Sequence, residues 1–247
     1  MAGLAPLSFL AWVSIGGIVR GTIINAVAIL AGSGIGLAAG SRLSERGQRI
    51  ITTGLGLCTL LIGVQMALKV QNVLVVIASM VLGGLAGELL DIEGALERVG
   101  EWLKSWSRSG AGNFVTGYVT ASLVFCVGPM TIVGSIQEGI SGNADLLYAK
   151  SLLDGAASVA FASSLGIGVS FAALTVLVLQ GTLTLLGAKL AFLLRPEVLN
   201  ELTATGGLLI IAIGFLLLDV KRLPVANLLP ALLAVVLLTT ARLSLGW

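Results

Sequence analysis

The stretch Asn72–Leu90, NVLVVIASMVLGGLAGELL, decides the fold class of this 247-residue chain. It holds nineteen residues, and its only charged side chain, Glu88, lies near the end. A helix needs roughly twenty apolar residues to cross a hydrocarbon core about 30 Å thick. A surface helix of a soluble protein would instead show charged residues at helical spacing along one face. The stretch therefore predicts a membrane-spanning helix.

The composition of the whole chain agrees with that prediction. Apolar residues make up 57% of the sequence and charged residues 11%, against roughly 45–50% and about 25% in an average soluble domain. The net charge of +2 is spread among short loops, with no basic stripe interleaved with aromatic residues, so we predict no nucleic-acid partner. The predicted environment is a lipid bilayer.

Apolar runs of similar length recur along the chain, and in lipid the backbone must satisfy its own hydrogen bonds, which makes these runs helices. The predicted fold class is all-α: a polytopic membrane helix bundle of seven or eight transmembrane helices, forming a single transmembrane domain over residues 21–247. The predicted spans are Gly21–Gly40, Ile50–Leu68, Asn72–Leu90, Phe114–Ile136, Ala149–Leu165, Phe171–Leu194, Thr203–Leu218 and Pro224–Thr240.

Residues 1–20 form a predicted N-terminal extension. Its apolar part, Leu4–Val19, has sixteen residues, which is short for a span. It lacks the basic start and the small-residue cleavage pattern of a secretory signal. We expect either an extra N-terminal segment or a translation start placed too early.

One segment, residues 91–108, has the pattern of an amphipathic helix. One face holds the apolar residues Ile92, Leu96, Val99, Leu103 and Trp106. The other face holds the acidic residues Glu93, Glu97 and Glu101. Trp102 and Trp106 are of the type that lies at lipid headgroups. We predict an interfacial linker helix, with a gate or a partner surface as the alternative.

Two predicted spans resemble one another. Laying Ile51–Val70 over Leu202–Lys221 superposes Gly56 on Gly207 and Gly63 on Gly214 without a gap. This predicts a repeat of helices 1–3 in helices 6–8 around a central helix pair, and the number of intervening spans makes the repeat inverted, as in many secondary transporters. Chance similarity between two glycine- and leucine-rich helices is the alternative.

Glycines at small-xxx-small spacing occur in Gly32-Ser-Gly-Ile-Gly36 and in Gly83-Gly-Leu-Ala-Gly87. Such spacing lets helices approach closely in a membrane. No strand pattern precedes either motif, so we predict helix contacts rather than a nucleotide-binding loop.

The first part of the predicted functional site is a broken helix in the stretch Phe125–Gly139, FCVGPMTIVGSIQEG. Pro129 follows Gly128 at mid-span and removes a backbone hydrogen bond, which frees a carbonyl group. Broken helices in transporters line cavities where such carbonyls coordinate an ion or substrate. Ser135, Gln137 and Glu138 follow the break. The alternative for Glu138 is that it ends a helix in water.

The second part is the polar helix that begins near Lys150. Lys150 and Asp154 are four residues apart, so they share a helix face, and Ser158 continues that face. Charges in a membrane span are costly and mark candidate sites. Asn25 is a candidate neutral ligand, although such amides also bond helices together. The alternative for Lys150 and Asp154 is mutual neutralisation without a further role.

Several long phrases resemble the bacterial YdfK/YqgA family, which is classed as domain of unknown function 554. The phrases include LGGLAGELLDIEGALERVGEWLK at Leu82–Lys104 and FVTGYVTASLVFCVGPMTIVGSIQEG at Phe114–Gly139. The resemblance runs from about Gly21 to the C-terminus. It implies a multi-pass protein of the bacterial inner membrane and carries over no substrate or catalytic residue.

The leading functional hypothesis is a secondary transporter or channel for a small solute or ion. Its site would comprise Asp154, Glu138, Gln137, Ser135, Gly128, Pro129, Lys150, Ser158 and Asn25. The alternative is a non-transporting membrane scaffold. We predict no enzyme activity, because histidine is absent and no nucleophile arrangement occurs. We also predict no cofactor and no metal site, and a possible homo-oligomer.

Overall fold

The computed structural model describes residues 19–107, 114–221 and 223–245. Within these ranges the regular structure is helical, with no strand. The ten α-helices are α1 (Arg20–Gly40), α2 (Glu45–Ala67), α3 (Val73–Leu89), α4 (Ile92–Ser107), α5 (Phe114–Val127), α6 (Pro129–Ser141), α7 (Asp145–Leu165), α8 (Gly168–Leu185), α9 (Pro196–Leu217) and α10 (Pro230–Ser244). Short 3-10 helices cover Ala191–Leu194 and Ala226–Leu228. The all-α membrane bundle is confirmed, whereas the predicted N-terminal extension lies almost entirely outside the described residues.

Five helical stretches of the described chain are each long and apolar enough to cross a membrane. The number rises to as many as seven if each of two bent helix pairs is counted as one span. The predicted number was seven or eight. The predicted span at Ala149–Leu165 is absent from this count because α7 carries Lys150, Asp154 and several serines. It nevertheless lies parallel to α1, in contact from Gly21 and Leu147 at one end to Gly40 and Ser163 at the other.

The contact between α1 and α7 depends on glycine, as the small-xxx-small motif predicts. A Cβ added to Gly32 would lie 2.1 Å from the carbonyl oxygen of Gly155, and one added to Gly36 would lie 2.3 Å from that of Val159. Both distances are shorter than real Cβ contacts, so the two backbones touch here. The second motif works in the same way, since Gly83 of α3 lies against the backbone of Ala231 in α10 and Gly87 lies against the backbone of Asn227 in the preceding 3-10 helix.

The helices α2 and α9 contain the two similar segments, and they pack antiparallel. Gly63 lies against Gly207 and Ile211, while Gly214 lies against Leu60. All four glycines paired by the sequence alignment are in this contact, since Gly56 meets Leu217 and Leu218. Antiparallel packing is what an inverted repeat requires of this helix pair, and the repeat of whole three-helix units stays a prediction.

The helix α4 turns away from α3 by 56°, near Asp91, which has a positive φ of 49°. Gly100 and Leu103 of α4 face the bundle, where Gly100 lies against Val115 of α5. Glu97, Arg98 and Glu101 are exposed. This arrangement fits the predicted linker helix at the surface of the bundle; Arg108, at its predicted end, lies outside the described residues.

The pair α5 and α6 is the predicted broken helix, and the structure places the break at Gly128. The two helices are bent by 59°. Gly128 has an extended backbone and Pro129 is the first residue of α6. Proline suits that position because a first-turn residue has no helical acceptor for its N–H.

Candidate functional site

The centre of the candidate site is a buried ion pair on α7. The Lys150 ammonium donates to Oδ2 of Asp154, one helical turn away. The two residues are only 4% and 8% exposed, so the pair is inside the bundle rather than at a solvated helix end. Two charges held away from solvent need each other, because an unpaired one would keep its full desolvation cost.

Two further helices join this pair through amide side chains, α1 directly and α8 by way of α1. Nδ2 of Asn25, on α1, donates to Oδ2 of Asp154 and to Oε1 of Gln180 on α8, both at 3.0 Å. Asn25 and Gln180 are fully buried. The resulting buried network, Lys150–Asp154–Asn25–Gln180, joins the consecutive helices α7 and α8 to α1, which lies more than 100 residues earlier in the sequence.

Three polar groups in or next to the network have no hydrogen-bond partner among the described residues. Oδ1 of Asn25 and Nε2 of Gln180 are buried and have no hydrogen-bond partner there. The same holds for the hydroxyl of Ser158, one turn beyond Asp154 on α7. A buried polar group without a partner costs about 1–3 kcal/mol, so this set can accept and donate further hydrogen bonds to a bound species.

The broken helix lies beside the network, and its freed carbonyl has a hydrogen-bond partner within the protein. Because Pro129 has no N–H, it cannot donate to the carbonyl oxygen of Phe125. The hydroxyl of Thr131 donates to that oxygen instead, at 2.9 Å. This bond uses one of the two lone pairs of the oxygen, and coordination of a substrate by this carbonyl stays a prediction. Cys126, just before the break, is close enough to Lys150 and Asp154 to interact with them electrostatically.

Glu138 is placed apart from the network, at the start of α1. Its Oε1 accepts a hydrogen bond of 2.7 Å from the backbone N–H of Gly21, where the positive end of the helix dipole favours a carboxylate. The alternative of a helix end in water is wrong, because Glu138 is 1% exposed. Arg20 donates to the carbonyl oxygen of Gly142 close by.

Of the two other predicted site residues that follow the break in α6, one is buried and one is exposed. Ser135 is buried and its hydroxyl has no partner among the described residues, whereas Gln137 is exposed. The structure thus brings together Lys150, Asp154 and Asn25, with Ser158 one turn away. It leaves Ser135, Gln137 and Glu138 outside the hydrogen-bonded network.

Two acidic residues have hydrogen-bond partners that the sequence did not predict. Glu201 of α9 is buried, and its Oε1 accepts hydrogen bonds from the backbone N–H groups of Gln71 and Asn72 before α3. Oε2 of Glu93 accepts from the backbone N–H of Ala226 at 2.7 Å. Both carboxylates stabilise the beginning of another helix. In the sequence, Glu201 lies two residues before the predicted span Thr203–Leu218. A carboxylate so close to a span was the feature that could have marked it as a candidate.

A wide cleft lies elsewhere in the bundle. It has a volume of about 1030 Å³ and is lined by parts of α2, α4, α5, α7 and α9. None of the nine predicted site residues lines it.

Comparison with known proteins identifies the family. The family model described as "Protein of unknown function (DUF554)" matches residues 20–240. The chain belongs to this family. It is 35% identical to the "Uncharacterized protein YqgA" of Escherichia coli (strain K12) over 228 residues, which cover 90% of this chain and 97% of that one. It is 31% identical to the "Uncharacterized membrane protein YdfK" of Bacillus subtilis (strain 168) over 217 residues, covering 86% and 92%.

No solved structure matches this chain. The resemblance found in the sequence phrases is confirmed, and the chain is a membrane protein of apolar helices in a family whose function is unknown.

Proposed function

We propose that the chain is a secondary transporter or channel for a small solute or ion, with the Lys150–Asp154–Asn25–Gln180 network in its path. The observation that carries the proposal is the ion pair itself. A charged residue at the centre of a membrane helix costs at least about 2.5–3.5 kcal/mol on insertion scales. A bundle that needed only stability would be served as well by apolar side chains of similar volume.

The geometry around the pair supports the proposal further. One oxygen of Asp154 already accepts from two donors, so a cation or proton arriving at this carboxylate would compete with the Lys150 ammonium. Such competition couples the binding of a solute to the movement of a charged side chain. The unused groups on Asn25, Gln180 and Ser158 are suited to hold the neutral parts of a small ligand.

A non-transporting scaffold is the second candidate. It is favoured by the close glycine contacts of α1 with α7 and by the absence of predicted site residues from the lining of the cleft of about 1030 Å³. In that case the network would hold three helices in register. We further propose that the protein resides in the bacterial inner membrane and transports rather than catalyses a reaction.

Flux into liposomes tests the proposal. The full-length protein, reconstituted into liposomes, should carry at least one of the following faster than protein-free liposomes: protons, monovalent metal ions, primary amines or amino acids. A transporter should show saturation with solute concentration, and a channel should not. If correctly folded protein moves none of these solutes and is recovered in a stable complex with other membrane proteins, the scaffold is the better description.

A further inference from the structure

The cleft of about 1030 Å³ opens at the membrane side where α1 ends and α2 begins. The first turns of α2, the acidic face of α4, the start of α5 and the ends of α7 and α9 form its walls. Ligand pockets for small molecules have volumes of about 300–1,000 Å³, so the cleft is large enough for a small organic molecule with some water.

Among the residues that the structure describes, the charged side chains that line the cleft are predominantly acidic. The lining residues include four acidic side chains and one basic side chain, namely Glu45, Glu93, Glu97, Asp219 and Arg49. Clefts lined by one sign of charge between walls of low dielectric concentrate ions of the opposite sign. The cleft therefore favours cations over anions.

A buried hydroxyl adds a second, independent feature. Thr120 of α5 lines the cleft, is fully buried, and its Oγ1 has no hydrogen-bond partner among the described residues. Threonine hydroxyls in helices commonly bond the backbone carbonyl one turn back, as Thr52 and Thr53 do in the same cleft. An unused hydroxyl at the wall of an acidic cleft suits the N–H of a bound ligand.

We propose that this cleft binds a small organic cation with one or more ammonium groups. A bare metal ion needs several converging carboxylates, and within residues 19–107, 114–221 and 223–245 no group of three or more acidic, cysteine or histidine side chains converges on one point. Carboxylates spread around a wide cleft instead match ammonium groups carried on an organic frame. The apolar lining residues, Val119, Leu165 and Leu217 among them, match the carbon atoms of that frame.

The cleft and the Lys150–Asp154–Asn25–Gln180 network lie along the same helix, α7. Ser164 and Leu165 line it at the end of α7, and Asp154 lies ten residues, or about 15 Å, deeper along the same helix. Between them, Phe161 packs against Phe125 with ring centroids 6.1 Å apart, and both rings are buried. Passage of the cation from cleft to network rests on the proposed function, whereas binding in the cleft does not.

Equilibrium binding to the detergent-purified full chain tests the proposal, with 1,4-diaminobutane as the probe. We expect saturable binding of the diamine, with no comparable binding of glutarate at equal ionic strength. Glu97→Gln combined with Asp219→Asn should raise Kd about tenfold, since two partly screened ion pairs are lost. These two residues are preferred to Glu93, because burial raises the pKa of the Glu93 carboxyl, although hydrogen bonds from the backbone of Ala226 and Asn227 oppose this rise.

The matched controls change the same chemical groups outside the cleft. Glu197→Gln removes an exposed carboxylate near the start of α9, and Thr205→Val removes another buried hydroxyl without a partner on the same helix. Thr120→Val should weaken diamine binding severalfold, and both controls should bind like the wild type. Unsaturable diamine binding, tighter binding of Mg²⁺ at the same site, or equal Kd values in wild type, the Glu97/Asp219 variant and Thr120→Val would overturn the proposal.

Flux measured in parallel separates this inference from the proposed function. Diamine binding without any flux would uphold the cleft and contradict transport. Flux of a solute that neither binds in the cleft nor responds to Glu97→Gln with Asp219→Asn would uphold transport and overturn the role of the cleft.

Discussion

Lys150→Met should lower the free energy of unfolding by about 3–5 kcal/mol, the usual cost of removing one partner from a buried ion pair. The substitution keeps the length and apolar stem of the side chain, so packing changes little. It leaves the Asp154 carboxylate inside the bundle with Asn25 as its remaining donor. Reversible unfolding in mixed detergent micelles, followed by circular dichroism, gives the free energy.

A double-mutant cycle separates the charge from the packing. Asp154→Asn alone should also destabilise the protein, because it leaves the Lys150 ammonium unpaired. The combined variant Lys150→Met with Asp154→Asn should be more stable than Lys150→Met alone, since no buried charge remains. Lys189→Met is the control, because Lys189 is exposed. Equal stabilities of Lys150→Met and Lys189→Met would show that the pair is not buried as described.

Gly32→Ala should destabilise the contact between α1 and α7 by about 1–3 kcal/mol, the range for forcing an additional methyl group into a filled core. The new Cβ would lie 2.1 Å from the backbone oxygen of Gly155, and a backbone atom cannot rotate away as the end of a side chain can. The helices must separate, which also lengthens the hydrogen bond from Asn25 to Asp154. Thermal unfolding in detergent measures the loss.

The neighbouring Gly34 provides a control on the same helix. Nothing lies within 4 Å of a Cβ at that position, and alanine is the better helix former by roughly 1 kcal/mol. Gly34→Ala should therefore unfold at the wild-type temperature or above it. If the two variants unfold at the same temperature, α1 does not pack on α7 through Gly32.

The spans and the helix break could be predicted because each depends on local sequence. A run of apolar residues near the length of the membrane core specifies a helix, and Pro129 specifies where one ends. The fate of the freed Phe125 carbonyl could not be predicted in the same way. The rotamer of Thr131 decides whether that carbonyl accepts a hydrogen bond from within the protein, and residue spacing alone does not give a rotamer.

The structure brings three of the nine predicted site residues into one hydrogen-bonded network and adds Gln180, which the predicted site did not include. Lys150 and Asp154 are one turn apart, so their pairing follows from helix geometry. Asn25 donates to Asp154 from 129 residues away in the sequence and to Gln180 from 155 residues away, so their meeting depends on which faces of α1, α7 and α8 pack together. Glu138 was placed in the site because it follows the break, and tertiary packing turned it towards the start of α1.

The cleft could not be predicted at all, since five helices contribute to it and no single one has a site-like pattern. Thr120 is an ordinary residue of an apolar span until its hydroxyl is seen without a partner. Glu93 and Glu97 were assigned to the acidic face of a surface helix; Glu97 is exposed, whereas Glu93 is partly buried and bonded to the backbone of Ala226. Their second role depends on α2 and α9, whose positions relative to α4 the sequence does not give.

The measurement that tests the central claim most directly is the initial rate of solute flux into liposomes containing Asp154→Asn, with a solute that the wild type carries. Asp145→Asn makes the same chemical change at an exposed position of α7 and serves as the control. The Lys150→Met, Asp154→Asn double variant extends the test to a protein without a buried charge. We predict that flux is lost in both Asp154 variants and retained in Asp145→Asn. Wild-type flux through monodisperse Asp154→Asn would contradict a transport path through this network.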